Sequence, residues 1–114
     1  MAVEGPGKLL RVFIGEHDKR EGELIYEAIV SAAKAKGLAG ATVLRGIIGF
    51  GDNSEVHTTK ILRMAENLPV VVEIIDTADK IDAFIPIVDK MIATEGLLTV
   101  TDVTIIGYKF ARNK

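Results

Sequence analysis

The chain has 114 residues, with 14 basic and 16 acidic side chains, a net charge of −2 and no cysteine. A chain of this length buries one hydrophobic core, so we expect one domain. The absence of cysteine excludes disulfides, thiol nucleophiles and thiolate metal sites, and the acidic balance argues against a general nucleic-acid-binding protein. No stretch approaches the roughly 20 apolar residues of a membrane span, and the first residues lack the pattern of a secretory signal, so we expect a cytoplasmic protein.

The first half of the chain predicts a strand, a helix and a second strand. Residues 1–7 are rich in glycine and proline, which favours a flexible, frayed N-terminal tail. Apolar side chains alternate over residues 8–15 and predict the first strand. They then recur at helical spacing from Leu24 to Ala32, and Gly37 is a suitable stop for this helix. β-Branched and apolar residues over 41–48 predict the second strand.

The second half of the chain repeats this order. Residues 70–75 are almost all apolar and predict the third strand. Thr77 is a suitable N-cap for a second helix that ends at Gly96, and Pro86 inside it predicts a kink or a late start of regular helix. Alternation over residues 100–108 predicts the fourth strand, with Ile105 on one side and Ile106 and Tyr108 on the other.

Two strand–helix–strand units in succession predict a ferredoxin-like α+β fold, in which both helices cover one face of a four-stranded antiparallel sheet. The single domain spans residues 8–109, and a short basic tail follows at 110–114. The second face of such a sheet is normally polar, yet the third strand is almost entirely apolar. The other side chains assigned to this face are Leu9, Phe13, Ile106 and Tyr108. Since so small a chain has no further element to cover the face, we expect a symmetric oligomer that packs sheet against sheet.

The connection between the second and third strands, residues 46–68, is far longer than a hairpin loop needs. Its glycines permit positive φ and let backbone N–H groups approach an anion closely, as phosphate-binding loops do. Basic, hydroxyl and imidazole side chains nearby supply further donors. We therefore predict a binding site for a small anion in this segment. The candidate ligand-binding residues are Arg45, Gly46, Gly49, Gly51, His57, Thr58 and Lys60.

Each of these signals also has a plainer interpretation. The spacing Gly-x-x-Gly-x-Gly is typical of a turn, and no helix begins directly on it as the dinucleotide-binding motif requires. His57 can be a hydrogen-bonded loop residue, and residues 59–65 fit either a short helix or the arm of a long hairpin. Arg45 can pair with Glu73 on the neighbouring strand and contribute only a surface ion pair.

Two other features bear on chemistry. Glu16, His17 and Asp18 follow the first strand, but three consecutive residues on an irregular turn rarely converge on one metal ion, so a solvated turn is the better interpretation. No nucleophile and base are recognisably paired, which predicts a protein without enzymatic activity and without a resident cofactor.

Four stretches of the sequence resemble one family. They are LRVFIGEHDK at 10–19, GLAGATVLRGIIGFG at 37–51, VHTTKIL at 56–62 and LPVVVEIID at 68–76. Together they resemble a PII-like family that has been catalogued as a bacterial and archaeal domain of unknown function, and the resemblance covers the chain apart from its two tails. It implies a ferredoxin-like homotrimer related to PII signalling proteins and to CutA.

In PII proteins the long loop after the second strand and the clefts between subunits bind adenine nucleotides and partner proteins. The resemblance therefore implies that AMP, ADP or ATP acts as an effector in the clefts of a homotrimer. It also implies that residues 46–68 regulate a membrane transporter or another protein. This loop lacks the tyrosine that is uridylylated in PII proteins, since Phe50 is its only aromatic residue, and the turn 94–96 lacks their phosphate-holding run of glycine and lysine.

Two other functions occur on this type of fold. A CutA-like protein would bind divalent metal ions, and it would have to use the set Glu16, His17, Asp18 and His57. A hydrolase of the acylphosphatase type would need a glycine-rich phosphate loop after the first strand, where this chain has Gly15-Glu-His-Asp. We favour the regulatory, nucleotide-binding protein and keep the CutA-like metal-ion protein as the alternative.

Overall fold

The computed structural model describes residues 2–50, 56–58, 67–93 and 95–109. Within these ranges the strands are β1 (Ala2–Gly15), β2 (Lys19–Arg20), β3 (Glu23–Leu24), β4 (Ala41–Arg45), β5 (Ile48–Phe50), β6 (Val56–Thr58), β7 (Pro69–Thr77) and β8 (Leu97–Lys109). The helices are α1 (Ile25–Ala35) and α2 (Ala78–Ile92). Neither of these described helices is long and apolar enough to cross a membrane.

The main sheet is antiparallel and has four strands in the order β4, β7, β1 and β8. Helix α2 packs on β1 and β7, and α1 packs on β4 and β7, so both helices contribute to one core on one face of the sheet. This arrangement confirms the predicted ferredoxin-like α+β fold. Two small hairpins are added to it, one formed by β2 with β3 and one by β5 with β6.

The hydrophobic core lies between the helices and the face that they cover, which we call the inner face. Alternate residues of β1 and β7 point into this core because successive side chains of a strand point to opposite faces. Each helix adds one apolar stripe. The large side chains that are fully buried are Leu10, Val12, Ile29, Val72, Ile74, Ile81, Phe84 and Val88. Three of them, Ile81, Phe84 and Val88, lie on one side of α2.

The helix ends agree only in part with the predicted signals. Gly37 follows α1 with a φ of +76°, which glycine adopts without strain, so the predicted stop is confirmed. Thr77 is the N-cap of α2, but its side chain makes no capping hydrogen bond, and the predicted side-chain cap is wrong. The Thr77 N–H instead donates to Asp76 Oδ1 at 2.6 Å. Helix α2 begins at Ala78 and continues through the exposed Pro86, so its start is not delayed.

The strand ends differ from the prediction at three places. Ala2 pairs with Lys109, so β1 begins at Ala2, and the predicted frayed tail is wrong over residues 2–7. The long partner strand explains this difference, because β8 supplies backbone hydrogen bonds that the composition of the first residues does not reveal. β8 begins at Leu97 rather than at residue 100, and β4 ends at Arg45 rather than at residue 48.

A β-bulge lies where β1 and β8 continue beyond β7. Val3 is opposite Tyr108 and Gly5 is opposite Ile105, so two residues of β8 face the single Glu4. The extra residue reverses the alternation of side chains. Ile105 and Tyr108 therefore lie on the same side of the ribbon, and the predicted alternation, which separated them, is wrong here. Gly5 accommodates the bulge with a φ of +98°.

The face of the sheet away from the helices, the outer face, carries exposed apolar side chains. One cross-strand row consists of Leu44, Val71, Phe13 and Leu97. A polar row with Arg11 and Glu73 separates it from a second apolar row with Leu9 and Ile75. Leu44 is 49% exposed and Leu97 is 56% exposed. The predicted apolar second face is confirmed with one exception. Ile106 precedes the reversal of side-chain alternation at the bulge, so its side chain points away from the outer face.

Candidate functional site

Arg45 is the last residue of the edge strand β4, at the start of the connection 46–68. Its guanidinium Nη2 lies 3.0 Å from Glu16 Oε2, and its side chain remains 58% exposed. The predicted ion pair with Glu73 is wrong. The register places Glu73 opposite Arg11, whose Nε is 3.0 Å from Glu73 Oε2, whereas Arg45 is opposite Val70. Arg45 is thus a solvent-accessible cation at the root of the long connection.

The first glycines of the connection serve close packing. Neither Gly46 nor Gly49 has a positive φ, so the predicted reason for these two glycines is wrong. A Cβ atom at Gly46 would lie 2.9 Å from Pro69 Cγ, and one at Gly49 would lie 3.0 Å from the same atom. The Gly46 N–H also donates to the Pro69 carbonyl at 2.7 Å. The two glycines therefore let the chain cross directly over the first residue of β7.

The connection contains a short antiparallel hairpin, in which Gly49 is opposite His57 and Ile48 is opposite Thr58. Three of the predicted site residues therefore come together through their backbones on β5 and β6. Gly51 and Lys60 lie outside the described residues. The apolar side chains that face solvent here are Ile47, at 72% exposure, Ile48, at 61%, and Phe50, at 70%.

The turn after β1 holds the other end of the connection. Asn67 Oδ1 accepts the His17 N–H at 2.5 Å, and Asn67 Nδ2 donates to Asp18 Oδ1 at 2.7 Å. The second oxygen of Asp18 accepts the Gly15 N–H at 2.8 Å. In addition, the Glu16 N–H donates to the Leu68 carbonyl at 2.7 Å. We call this set of interactions, formed by residues 15–18 with 67–68, the turn knot.

Asn67 was missed by the sequence analysis, although it lies within the predicted connection. The nearest local signal is Gly15, because a Cβ atom there would run into the side-chain amide of Asn67. A glycine at the end of a strand is too common to indicate such a contact by itself. The same turn knot engages the Asp18 carboxylate, and the Glu16 carboxylate pairs with Arg45. Among the residues that the structure describes, no group of three His, Cys, Asp or Glu residues could hold a metal ion.

A concave region lies on the outer face of the sheet, at the end of β4 that is opposite Arg45. It is a cavity of about 350 Å³ between the bulged β1–β8 ribbon and strands β4 and β7. Its apolar walls include Val3, Ile75 and Ile105, and its polar groups include Thr42 and Glu73. We call it the ribbon cleft. The sequence analysis did not find it, because it depends on the bulge and on strands distant in the sequence.

Polar contacts hold the ribbon over this cleft. The Tyr108 hydroxyl donates to the Ala39 carbonyl at 3.0 Å, and the Ala39 N–H donates to Asp76 Oδ2 at 2.8 Å. Asp76 is only 2% exposed, and its carboxylate accepts the N–H groups of Ala39 and Thr77. The buried carboxylate is therefore satisfied by backbone donors, which fix the turn after α1 against the end of β7.

Comparison with known sequences gives relatives that match most of the chain. A UPF0166 protein of Aquifex aeolicus strain VF5 is 41% identical over 99 residues, which cover 87% of this chain and 92% of the relative. A UPF0166 protein of Methanocaldococcus jannaschii is 39% identical over 95 residues, which cover 83% and 87% of the two chains. The model of the DUF190 family, described as "Uncharacterized ACR", matches residues 7–105.

Solved structures with this fold share little sequence with the chain. CPII from Thiomonas intermedia K12, bound to ADP and bicarbonate, has a TM-score of 0.65 at 13% identity and covers 88% of each chain. Its apo form, a nitrogen regulatory PII-like protein, has a TM-score of 0.61 at 13% identity and covers 96% of this chain and all of that one. CutA from Synechococcus elongatus PCC7942, in complex with Bis-Tris, has a TM-score of 0.57 at 14% identity, covering 96% and 90%.

Proposed function

The chain belongs to the DUF190 family, and on that premise we propose that it is a PII-like regulatory protein, without enzymatic activity, that binds an adenine nucleotide. The observation that carries the proposal is that one edge strand, β4, bears both a mostly apolar cleft and an exposed guanidinium. Thr42 lines the ribbon cleft, and Arg45 ends the same strand. The two positions lie about 10 Å apart along the strand and on opposite faces of the sheet, so a nucleoside phosphate that contacts both has to pass around the free edge of β4.

The ribbon cleft suits the organic part of such a ligand. Its volume of about 350 Å³ is within the range of small-molecule sites, which are mainly apolar with a few placed polar groups. Val3, Ile75 and Ile105 offer apolar surface to a planar ring. The Thr42 hydroxyl and the Glu73 carboxylate can accept hydrogen bonds from the amino group of a base.

Arg45 suits the phosphate. Guanidinium groups bind phosphate through charge-assisted hydrogen bonds, and more than half of this side chain is open to solvent. Because Arg45 adjoins the connection 46–68, a phosphate bound there would favour one arrangement of the connection over others. The exposed Ile47, Ile48 and Phe50 would then meet a partner protein, a membrane transporter being one candidate.

We further propose that the protein is a cytoplasmic homotrimer whose subunits cover one another's outer faces, so that the ligand lies in a cleft between subunits. The exposed apolar side chains on either side of Arg11 and Glu73, among them Phe13 and Ile75, support this assembly, because apolar surface of this extent on a sheet is usually buried by a partner. ADP is a bound ligand of CPII, a protein with the same fold, and ADP is the first nucleotide to test.

Calorimetric titration of AMP, ADP and ATP tests the proposal. The Arg45→Ala variant should bind more weakly by about 1.5 to 3 kcal/mol, the usual value of a hydrogen bond to a charged group. The control is Lys36→Ala, which removes the same charge from an exposed site after α1, at the other end of the sheet. No binding of any of the three nucleotides at millimolar concentration, or equal binding by wild type and Arg45→Ala, would contradict the proposal.

Only the similarity of fold supports the CutA-like alternative. Two of its candidate ligands are otherwise engaged, since Glu16 pairs with Arg45 and Asp18 binds Asn67 and Gly15. Titration with Cu²⁺ and Zn²⁺ alongside the nucleotides keeps this alternative in the experiment. Stoichiometric metal binding without nucleotide binding would favour it over the regulatory function.

A further inference from the structure

We propose that Glu16 is a built-in competitor for the anion at Arg45, so that a bare inorganic anion binds there only weakly and a ligand with additional contacts is favoured. The inference rests on the proposed function, because it concerns how that same site selects its ligand. It adds a specificity-determining residue that lies outside the predicted set and in a different part of the sequence.

The ion pair itself is the first observation. Glu16 Oε2 lies 3.0 Å from Arg45 Nη2, and the Glu16 side chain is only 18% exposed, against 58% for Arg45. The carboxylate thus occupies the protein side of the guanidinium, and solvent occupies the other side. A phosphate and this carboxylate would seek the same N–H donors, and their like charges repel each other.

The turn knot is the second observation, because it keeps Glu16 in place. The Glu16 N–H donates to the Leu68 carbonyl, the Gly15 N–H donates to Asp18, and Asn67 bridges His17 and Asp18. An incoming anion can therefore swing the Glu16 side chain aside but does not free its backbone. A tethered group competes at a high and fixed effective concentration, so a free anion displaces Glu16 only when its own concentration and affinity outweigh that value.

The consequence is a threshold for binding. Inorganic phosphate binds Arg45 only by displacing Glu16, so the loss of the ion pair offsets the free energy that it gains. A nucleotide also gains the contacts of its base in the ribbon cleft. Asn67 is a positioning residue in this scheme, since it acts through the turn that presents Glu16.

The test compares wild type with Glu16→Gln by calorimetric titration of ADP and of inorganic phosphate. The variant should bind both probes about two- to fivefold more tightly, which is the range that a partly exposed ion pair is worth. The matched control is Asp82→Asn, which removes a carboxylate from another ion pair, with Lys8 at 2.7 Å. Its affinities should equal those of wild type.

The inference is tested by whether Glu16→Gln raises or lowers the affinity for ADP. If Glu16→Gln binds ADP as well as wild type or more weakly, while Arg45→Ala still loses affinity, Glu16 only orients Arg45, and the inference is wrong although the proposed function stands. If neither wild type nor Glu16→Gln binds ADP at millimolar concentration, the proposed function fails, and the inference fails with it.

Asn67→Ala provides a second test, because releasing the turn should also tighten ADP binding. In the Glu16→Gln background the same substitution should have no further effect, since the competing carboxylate is already absent. Unchanged circular dichroism at the titration temperature shows that the variants remain folded. An equal change of affinity in both backgrounds would show that Asn67 does not act through Glu16.

Discussion

The two faces of the sheet carry similar side chains in opposite surroundings. On the inner face Leu10, Val12 and Ile74 are fully buried, whereas on the outer face Leu44 and Ile75 keep 49% and 43% of their surface exposed. Both described helices pack on the inner face. The inner face thus accounts for the stability of the single chain. The outer face also carries apolar rows but lacks that cover, which is why we propose that other copies of the chain bind there.

The inner face should be the more sensitive of the two to loss of volume. Phe84 is 2% exposed and is among the largest side chains of the core. Phe84→Ala should lower the free energy of unfolding by about 3 to 5 kcal/mol, through lost burial and the cavity that remains. Urea denaturation followed by circular dichroism measures the loss. A loss below about 1 kcal/mol would show that the core collapses around the truncated residue.

The outer face should be sensitive to charge in assembly but not in folding. Phe13 is 37% exposed in the single chain, and Phe13→Asp would bury an unpaired charge in the proposed trimer, which costs about 3 kcal/mol or more. Sedimentation equilibrium should give three chain masses for wild type and one for the variant, with unchanged circular dichroism. Ile106→Asp is the control, because Ile106 is 88% exposed and points away from the outer face. A wild-type mass of one chain at micromolar concentration would contradict the trimer.

Close packing at the end of the sheet should give an intermediate effect. Gly15→Ala places a methyl group against the Asn67 amide, so the turn knot must shift, and we expect a loss of about 1 to 3 kcal/mol in unfolding free energy. Gly40→Ala is the control for stability, because a Cβ atom at Gly40 would meet nothing within 4 Å. Thermal denaturation of the two variants side by side is sufficient. Equal melting temperatures would show that Asn67 moves aside at little cost.

The contact that holds the ribbon over the outer face should give the smallest effect. Tyr108→Phe removes the hydroxyl that donates to the Ala39 carbonyl at 3.0 Å and keeps the ring. We expect a loss of about 1 kcal/mol, since the net value of a neutral hydrogen bond is of that order. Urea denaturation checks the value. An unchanged midpoint would indicate that water replaces the hydroxyl at Ala39 without cost.

Much of the fold could be predicted from local patterns. Alternation over residues 8–15 and the almost entirely apolar run at 70–75 predicted two central strands, and helical spacing with a following glycine predicted α1 and its end at Gly37. These signals are local, because strand and helix periodicities depend on neighbouring residues. The candidate site was predicted less completely than the fold. Arg45 does lie at the root of the long connection, but the role of the seven candidate residues in ligand binding stays a prediction.

By itself the sequence determined the order of the elements, the length of the connection 46–68 and the apolar character of the outer face. Only the tertiary structure decided which groups meet. Strand register places Glu73 opposite Arg11, and Arg45 pairs with Glu16 instead. Gly46 is explained by its close packing on Pro69 and not by a positive φ. The physical reason is that periodicity assigns a side chain to a face, whereas its partner depends on register, bulges and approaches between segments that are distant along the chain.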